Sequence, residues 1–189
     1  DPNPTKVDLI NKGLAPIIEK DLEALLLAGV NSGRLEATSD AEYAVTNTAI
    51  SFISVGTPSQ ANGNLDLSFV VRVCQDIGSV LRSKDEFHVV VIRSTMLPGS
   101  MRDVVIPTLE KISGKKAGAD FGVCNNPEFL REGTAIYDYY HPPKTVIGEI
   151  GTTSGELLVR LYSELGAPLI RTDIETAEMV KYTDNVWHA

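Results

Sequence analysis

Residues 49–58 read Ala-Ile-Ser-Phe-Ile-Ser-Val-Gly-Thr-Pro, a continuous and mostly apolar run that stops at a Gly-Thr-Pro turn. Such a run is typical of a strand that is buried on both faces, as in a parallel sheet covered by helices. Residues 88–92, His-Val-Val-Val-Ile, have the same character and stop at Arg-Ser-Thr. The two runs therefore predict strands of one parallel sheet.

Helical patterns alternate with strand patterns along the rest of the chain. Residues 66–82 place apolar side chains on one stripe, which predicts a helix packed against the sheet. Further strands are expected at 35–38, 121–124, 145–147 and 169–171, and further helices at 5–11, 22–31, 41–47, 100–112, 154–165 and 174–189. Repeated strand–helix units predict a doubly wound, Rossmann-like α/β fold in residues 1–173, followed by the start of a long helix at 174.

Composition narrows the class of protein. The formal charge of −8 argues against a general nucleic-acid or membrane-surface binder. The sequence has no signal-peptide pattern and no apolar run of membrane-spanning length, so a cytoplasmic location is expected. Cys74 and Cys124 are the two cysteines, and neither has a metal-ligand spacing. We therefore expect no metal site, and we expect both thiols to lie in the core.

A cluster of charged residues follows the predicted strand 121–124. Residues 124–133 read Cys-Asn-Asn-Pro-Glu-Phe-Leu-Arg-Glu-Gly, with the carboxylates Glu128 and Glu132 four positions apart. Such a cluster after a strand is how α/β enzymes build a site at the carboxyl ends of their strands. A capped surface turn with solvated charges is the alternative, and the motif alone favours that alternative.

Other polar groups are expected near this charged cluster, at the carboxyl ends of the predicted strands. The strand exits at 56–58 (Gly-Thr-Pro) and 93–95 (Arg-Ser-Thr) are polar, as is the motif at 126–133, and three such exits from one sheet favour a cleft. On the last helix, spacings of three and four residues put four polar side chains on one face. These are Glu178, Lys181, Asn185 and His188. An exposed polar stripe with a weak Glu–Lys pair is the alternative.

Four segments, in this order, resemble the family of nucleotide-sugar 6-dehydrogenases, which oxidise UDP-glucose or GDP-mannose to the uronic acid with two NAD. The segments are Val-Gly-Thr-Pro-Ser (55–59), Arg-Ser-Thr-Met-Leu-Pro-Gly (93–99), Asn-Pro-Glu-Phe-Leu-Arg-Glu-Gly (126–133) and Ala-Glu-Met-Val-Lys-Tyr-Thr-Asp-Asn-Val-Trp-His-Ala (177–189). Residues 185–189 are more similar to the GDP-mannose 6-dehydrogenases of alginate-type pathways than to the UDP-glucose enzymes. The resemblance implies oxidation of GDP-mannose to GDP-mannuronate for polysaccharide biosynthesis. A UDP-glucose 6-dehydrogenase and a non-catalytic nucleotide-sugar-binding remnant are the alternatives.

The resemblance also implies which residues bind the cofactor, in a domain that covers residues 1–173. Asp1 matches the acidic residue that binds the adenosine ribose, which favours NAD over NADP because a carboxylate repels a 2′-phosphate. Lys6 is similar to a residue close to that ribose. Thr57 and Thr95 match hydroxyls that line the cofactor, with Thr95 nearest the reacting carbon. Plain strand-end threonines are the alternative for both.

The carboxylate motif and its neighbours match residues that contact the nucleotide sugar. By resemblance, Glu128 is a candidate base that assists water during thioester hydrolysis. Glu132 is implied to contact the substrate and its water network. Phe129 and Leu130 are implied to meet the sugar nucleotide through their backbone groups.

The last helix carries the remaining residues implied by the resemblance. Lys181 matches a substrate-binding lysine that stabilises a developing oxyanion, a role suited to a fixed positive charge in a dry cleft. Asn185 is implied to donate to the same oxygen or to hold the attacking water. His188 matches a substrate contact, and a helix-surface histidine is its alternative.

Two parts of the family's machinery are not among these residues. The first strand with its Gly-rich pyrophosphate turn is absent, as is the nucleophilic cysteine of a Gly-Gly-Ser-Cys-type loop. We therefore expect the chain to be an internal part of a longer enzyme, to fold poorly and to be inactive when isolated. We also expect the longer enzyme to form a homodimer or a higher oligomer through the helix that starts at 174.

Overall fold

The computed structural model describes the backbone of residues 1–188 and the side chains of residues 1–187. Within this range the fold is a five-stranded sheet in the order β1-β2-β3-β4-β5, flanked by eight α-helices. The strands are β1 Ile50–Ile53, β2 Val89–Ile92, β3 Gly122–Asn125, β4 Thr145–Glu149 and β5 Leu169–Thr172. The helices are α1 Pro4–Asn11, α2 Leu22–Asn31, α3 Ala41–Thr46, α4 Ser68–Leu81, α5 Ile106–Ser113, α6 Ala135–Tyr140, α7 Thr152–Tyr162 and α8 Ile174–His188, with a π-helical turn Met101–Val105 before α5.

The core lies on both faces of the sheet, as the apolar runs predict. On β2, Val90 and Ile92 face the layer of α4 and α5, while Val89 and Val91 face α7. All four are fully buried. Helix α4 contributes a buried stripe that includes Cys74. The predicted Rossmann-like α/β class is therefore confirmed.

Both cysteines are part of this core, as expected. Burial raises the pKa of the Cys74 thiol to about 12. It is also the main cause that raises the pKa of the Cys124 thiol to about 12. A thiol with so high a pKa carries almost no thiolate at neutral pH, and the thiolate is the nucleophilic form. Neither cysteine is therefore a candidate nucleophile.

The expectation of a purely parallel sheet is wrong at one pair of strands, because β4 runs antiparallel to β3. Cys124 pairs with Glu149, and Asn125 with Gly148. Only a turn and the short helix α6, which the sequence did not predict, connect β3 to β4. Because α6 has six residues and spans only about 9 Å, it does not carry the chain back along the sheet, so β4 starts at the edge where β3 ends and runs in the opposite direction. Strand β5 is parallel to β4, and α8 then returns towards the edge where β1, β2 and β3 end, called here the carboxyl edge.

The strand expected at residues 35–38 does not form. Its backbone instead pairs with a side chain of α1: the N–H of Ala37 donates to Asn11 Oδ1 at 2.7 Å, and Asn11 Nδ2 donates to the Ala37 carbonyl at 2.8 Å. The amide of Asn11 therefore takes the place that a neighbouring strand would occupy. Across residues 1–188, no helix has both the length and the hydrophobicity that a membrane span requires.

A buried histidine joins β1 to β2 and makes stability depend on pH. His88 Nδ1 lies 3.0 Å from the carbonyl of Thr48, which can only accept, so Nδ1 carries the proton and donates. In the neutral ring Nε2 is then an acceptor, and it accepts from the hydroxyl of Ser51 at 2.8 Å. Burial lowers the pKa of His88, while an unfolded histidine titrates near about 6.5. The unfolded chain therefore gains a proton first as the pH falls below about 6.5. We expect full stability above that pH and a thermal midpoint that falls as the pH decreases below it.

The His88→Asn variant keeps hydrogen-bonding groups at this position but has no imidazole to titrate. Its thermal midpoint should change less than that of the unmodified protein over the same pH range. The exposed residue His141 supplies the control, because His141→Asn should leave the pH dependence of the unmodified protein in place. An unchanged pH dependence in His88→Asn would assign the effect to other groups.

Candidate active site

The exits of β1 and β2 meet at the carboxyl edge. The hydroxyl of Thr57 donates to the carbonyl of Thr95 at 2.7 Å, and the hydroxyl of Ser94 donates to the carbonyl of Val55 at 2.7 Å. These two bonds cross between the loops in opposite directions and hold them together. The two threonines predicted to line a cofactor therefore lie side by side.

The exit of β1 leaves room for a ligand beside the backbone. A Cβ atom built on Gly56 would meet no heavy atom within 4 Å, so open space lies beside the backbone directly before Thr57. The hydroxyls of Thr57 and Thr95 are half-buried at this position. Open space, a glycine backbone and hydroxyls at the ends of parallel strands fit a bound dinucleotide.

The carboxylate motif forms a tight turn after β3. Glu128 Oε2 accepts from the backbone N–H of Leu130 at 2.7 Å, and Glu128 Oε1 lies 3.3 Å from Lys181 Nζ. Glu128 is therefore held from two sides, by its own turn and by helix α8. Residues that are 53 positions apart in sequence meet here as a close ion pair, which the motif alone did not predict.

Helix α8 delivers Lys181 to the carboxyl edge because β5 ends at the opposite edge. From Ile174 to Lys181 the helix rises about 10 Å, and a strand of four residues is about 13 Å long. Lys181 is only 8% exposed, and its Nζ lies 5.4 Å from the centre of the Phe129 ring. Lys144 approaches the same ring at 4.3 Å. A buried ammonium beside a carboxylate and an aromatic face can stabilise negative charge that develops on a bound oxygen.

A cleft of about 680 Å³ connects the motif to α8. Its lining includes Phe129, Leu130, Lys144, Lys181 and Asn185. Asn185 is exposed on the helix one turn after Lys181, at the open side of the cleft. Four residues that the sequence predicted to bind substrate therefore border one space, together with Lys144, which it did not predict. A lysine in a loop before a strand gives no local signal of this role.

Glu178 has a structural role that differs from the weak pair considered from the sequence. It is 2% exposed and accepts from the backbone N–H groups of Gly99 at 2.7 Å and Met101 at 2.9 Å. Burial raises the pKa of this carboxyl, and the two N–H donors act in the opposite direction. Glu178 therefore joins α8 to the loop that follows Thr95, one turn before Lys181.

In the described part of the chain, the remaining candidates do not line the cleft, and neither do Thr57, Thr95 and Glu128. Asp1 is exposed, and its carboxylate accepts from the backbone N–H of Asn3 at 2.8 Å. Lys6 and Glu132 are also exposed. The side chain of His188 lies outside the described residues. The roles assigned to these four residues stay predictions, as do the roles assigned to the other site residues.

Comparison with known proteins defines the class. Residues 1–166 match the NAD-binding domain of the UDP-glucose/GDP-mannose dehydrogenase family. The chain therefore belongs to this family, which confirms the resemblance noted from the four sequence segments.

Two individual relatives show how similar the chain is to particular members of the family. The chain is 58% identical over its whole length to GDP-mannose 6-dehydrogenase of Pseudomonas aeruginosa. It is 37% identical, over 95% of its length, to a UDP-glucose 6-dehydrogenase of Haloferax volcanii. It spans 43% of the length of each of these two relatives. The crystal structure of a ternary complex of GDP-mannose dehydrogenase from Pseudomonas aeruginosa superposes with a TM-score of 0.98 at 57% identity, and the match covers all of this chain and 43% of that one.

Proposed function

We propose that this chain is the NAD-binding part of a nucleotide-sugar 6-dehydrogenase that oxidises GDP-mannose to GDP-mannuronate. The observation that carries the proposal is the Glu128–Lys181 ion pair at the carboxyl edge, beside a cleft large enough for a sugar nucleotide. The 58% identity to a GDP-mannose 6-dehydrogenase supports the choice of substrate. We call a protein that carries this chain and is as long as these relatives the full-length enzyme.

NAD would be held by Thr57 and Thr95 at the joined exits of β1 and β2, with Asp1 and Lys6 at its adenosine ribose. When bound, NAD supplies the hydride acceptor for both oxidation steps. Lys181 is the proposed positive charge that stabilises the oxygen of the reacting carbon as negative charge develops on it. The hydrogen bond from Thr57 to Thr95 supports the assignment of these two threonines to NAD.

The second half of the reaction needs a water molecule and a base. Glu128 is the proposed base, because its carboxylate lies 3.3 Å from Lys181, which borders the cleft, and is fixed by Leu130 and Lys181. Asn185 is proposed to hold the water or the same oxygen as Lys181. Phe129, Leu130, Glu132 and His188 are proposed substrate contacts.

Turnover with two nucleotide sugars tests the proposal. We expect the full-length enzyme to reduce two NAD for each GDP-mannose consumed, followed as NADH absorbance, and to use UDP-glucose far less efficiently. A clear preference for UDP-glucose would move the protein to the second substrate class, to which its 37% identical relative belongs by name. Binding of GDP-mannose without NADH formation would indicate a binding protein that has no dehydrogenase activity.

We also propose that the full-length enzyme is cytoplasmic and that α8 packs against a second copy of it. Several of its apolar side chains point away from this domain: Met179 is 50% exposed, Val186 62% and Trp187 84%. Its buried face carries Ile174, Ala177, Glu178 and Lys181. An apolar outer face on a helix is typical of an interface. Sedimentation of the full-length enzyme as a monomer would exclude this part of the proposal.

A further inference from the structure

We propose that Arg93, Asn126 and Tyr162 form a network that positions Glu128 for the reaction, an inference that rests on the proposed function. These three residues belong to the exit of β2, the exit of β3 and the end of α7. In this proposal none of them reacts with substrate. They act through the turn that carries Glu128.

The network is a closed set of short hydrogen bonds. Arg93 Nη1 donates to Asn126 Oδ1 at 2.9 Å and to the hydroxyl oxygen of Tyr162 at 2.7 Å. The Tyr162 hydroxyl donates in turn to Asn126 Oδ1 at 2.7 Å. Asn126 Nδ2 donates to the carbonyl of Val146 on β4 at 2.8 Å. The amide of Asn126 is therefore fixed at both ends, by three different elements of the fold.

Fixing Asn126 fixes the start of the motif. Its side chain is held by the network, and its backbone N–H donates to the carbonyl of Ile92 at 2.9 Å. Pro127 follows directly, which keeps Asn126 extended and restricts the direction in which the chain leaves it. Glu128 is the next residue, so the position of its carboxylate depends on this anchor. An asparagine held only by its backbone would leave the turn freer to move.

The network is largely buried and lies beside Glu128. Among the described side chains, no carboxylate lies within ion-pair distance of Arg93, so Asn126 and Tyr162 solvate its half-buried guanidinium by hydrogen bonds. Asn126 is 1% exposed and Tyr162 6%. Burial raises the pKa of the Tyr162 hydroxyl, which therefore keeps its proton and stays a donor. Arg93, Tyr162 and Glu128 also line a common cavity of about 30 Å³.

The Tyr162→Phe variant of the full-length enzyme tests the proposal, because it removes one hydroxyl and keeps the ring. We expect kcat for GDP-mannose to fall by about 10- to 100-fold, with KM for GDP-mannose and for NAD within about twofold of the unmodified values. Tyr139→Phe is the matched control. Tyr139 lies near the same cavity, is 36% exposed, and no hydrogen bond of its hydroxyl is seen in the described residues. That variant should keep normal kcat.

A double-mutant cycle separates positioning of Glu128 from a merely structural effect. If the network acts through Glu128, Tyr162→Phe should lower kcat much less in a Glu128→Gln background than in the unmodified enzyme. An equal loss in both backgrounds would overturn the proposal, as would normal kcat in Tyr162→Phe. If Tyr162→Phe does not fold, Arg93→Met is tested in the same cycle, with the same outcomes. Absence of turnover in the unmodified enzyme would instead contradict the proposed function.

Discussion

Replacing Lys181 with methionine in the full-length enzyme is expected to lower kcat for GDP-mannose by about 100- to 1,000-fold, the loss seen when one donor to a developing oxyanion is removed. The ammonium of Lys181 is buried, lies 3.3 Å from Glu128 and faces the ring of Phe129. Water is largely excluded at such a position, so a bulk-solvent cation cannot replace the missing charge. Initial rates of NADH formation across a range of GDP-mannose concentrations give kcat and KM separately.

Lys116→Met is the matched control for this prediction. Lys116 also forms an ion pair with a glutamate, Glu110, at 2.9 Å, but its side chain is 75% exposed and it does not border the cleft. The control should therefore keep normal kcat. A Lys181→Met variant that folds normally, as judged by its thermal midpoint, and turns over within about threefold of the unmodified enzyme would remove Lys181 from the proposed mechanism.

Local sequence patterns predicted most elements of the fold. Strands β1, β2 and β3 were expected because apolar runs end at turn residues, and α4 because apolar residues recur at helical spacing. These signals depend on neighbouring residues alone. The direction of β4 depends on where the preceding connection leaves the chain, which no short pattern records. The expected strand at 35–38 fails for a similar reason, since a strand needs a partner and Asn11 takes that place.

The candidate site was predictable where its residues follow strands and unpredictable where distant residues meet. Thr57, Thr95 and Glu128 follow predicted strands, so the sequence indicated them. Arg93 and Tyr162 are 69 positions apart, and their contact depends on the packing of α7 against the sheet. Tyr162 ends an ordinary amphipathic helix and carries no sign of contact with the motif. Reactive side chains at strand ends can therefore be predicted from the sequence. The residues that position them, such as Arg93 and Tyr162, can be identified only from the three-dimensional structure.

The polarity of α8 shows the same limit. From the sequence, its polar residues formed either one side of a cleft or an exposed stripe. In the fold, the polar residues Glu178 and Lys181 are buried, and Trp187 is exposed. A helical period identifies which residues share a face, but not which face meets the sheet. Here the segments after β2 and β3 present backbone N–H groups and a carboxylate to α8, so Glu178 and Lys181 pack inward beside Ile174 and Ala177.

Replacing Gly148 with alanine is expected to destabilise the domain by about 1–3 kcal/mol and to lower kcat as well. Gly148 lies on β4 beneath α8, where an added Cβ would be 2.5 Å from the Cβ of Ala177, 2.9 Å from the carbonyl oxygen of Asp173 and 3.0 Å from the Cα of Ile174. Two of these are backbone atoms, so no side-chain rotation relieves the contact. The helix itself has to move, and Lys181 is part of that helix.

Gly166→Ala is the control, because it makes the same chemical change at a glycine with no heavy atom within 4 Å of the added Cβ. It should leave both the thermal midpoint and kcat near their normal values. In Gly148→Ala the two effects have one cause, since the shift that relieves the contact with Ala177 also moves Lys181 relative to Glu128. Loss of stability with kcat unchanged would mean that β4 gives way instead of α8, and that the position of Lys181 does not depend on Gly148.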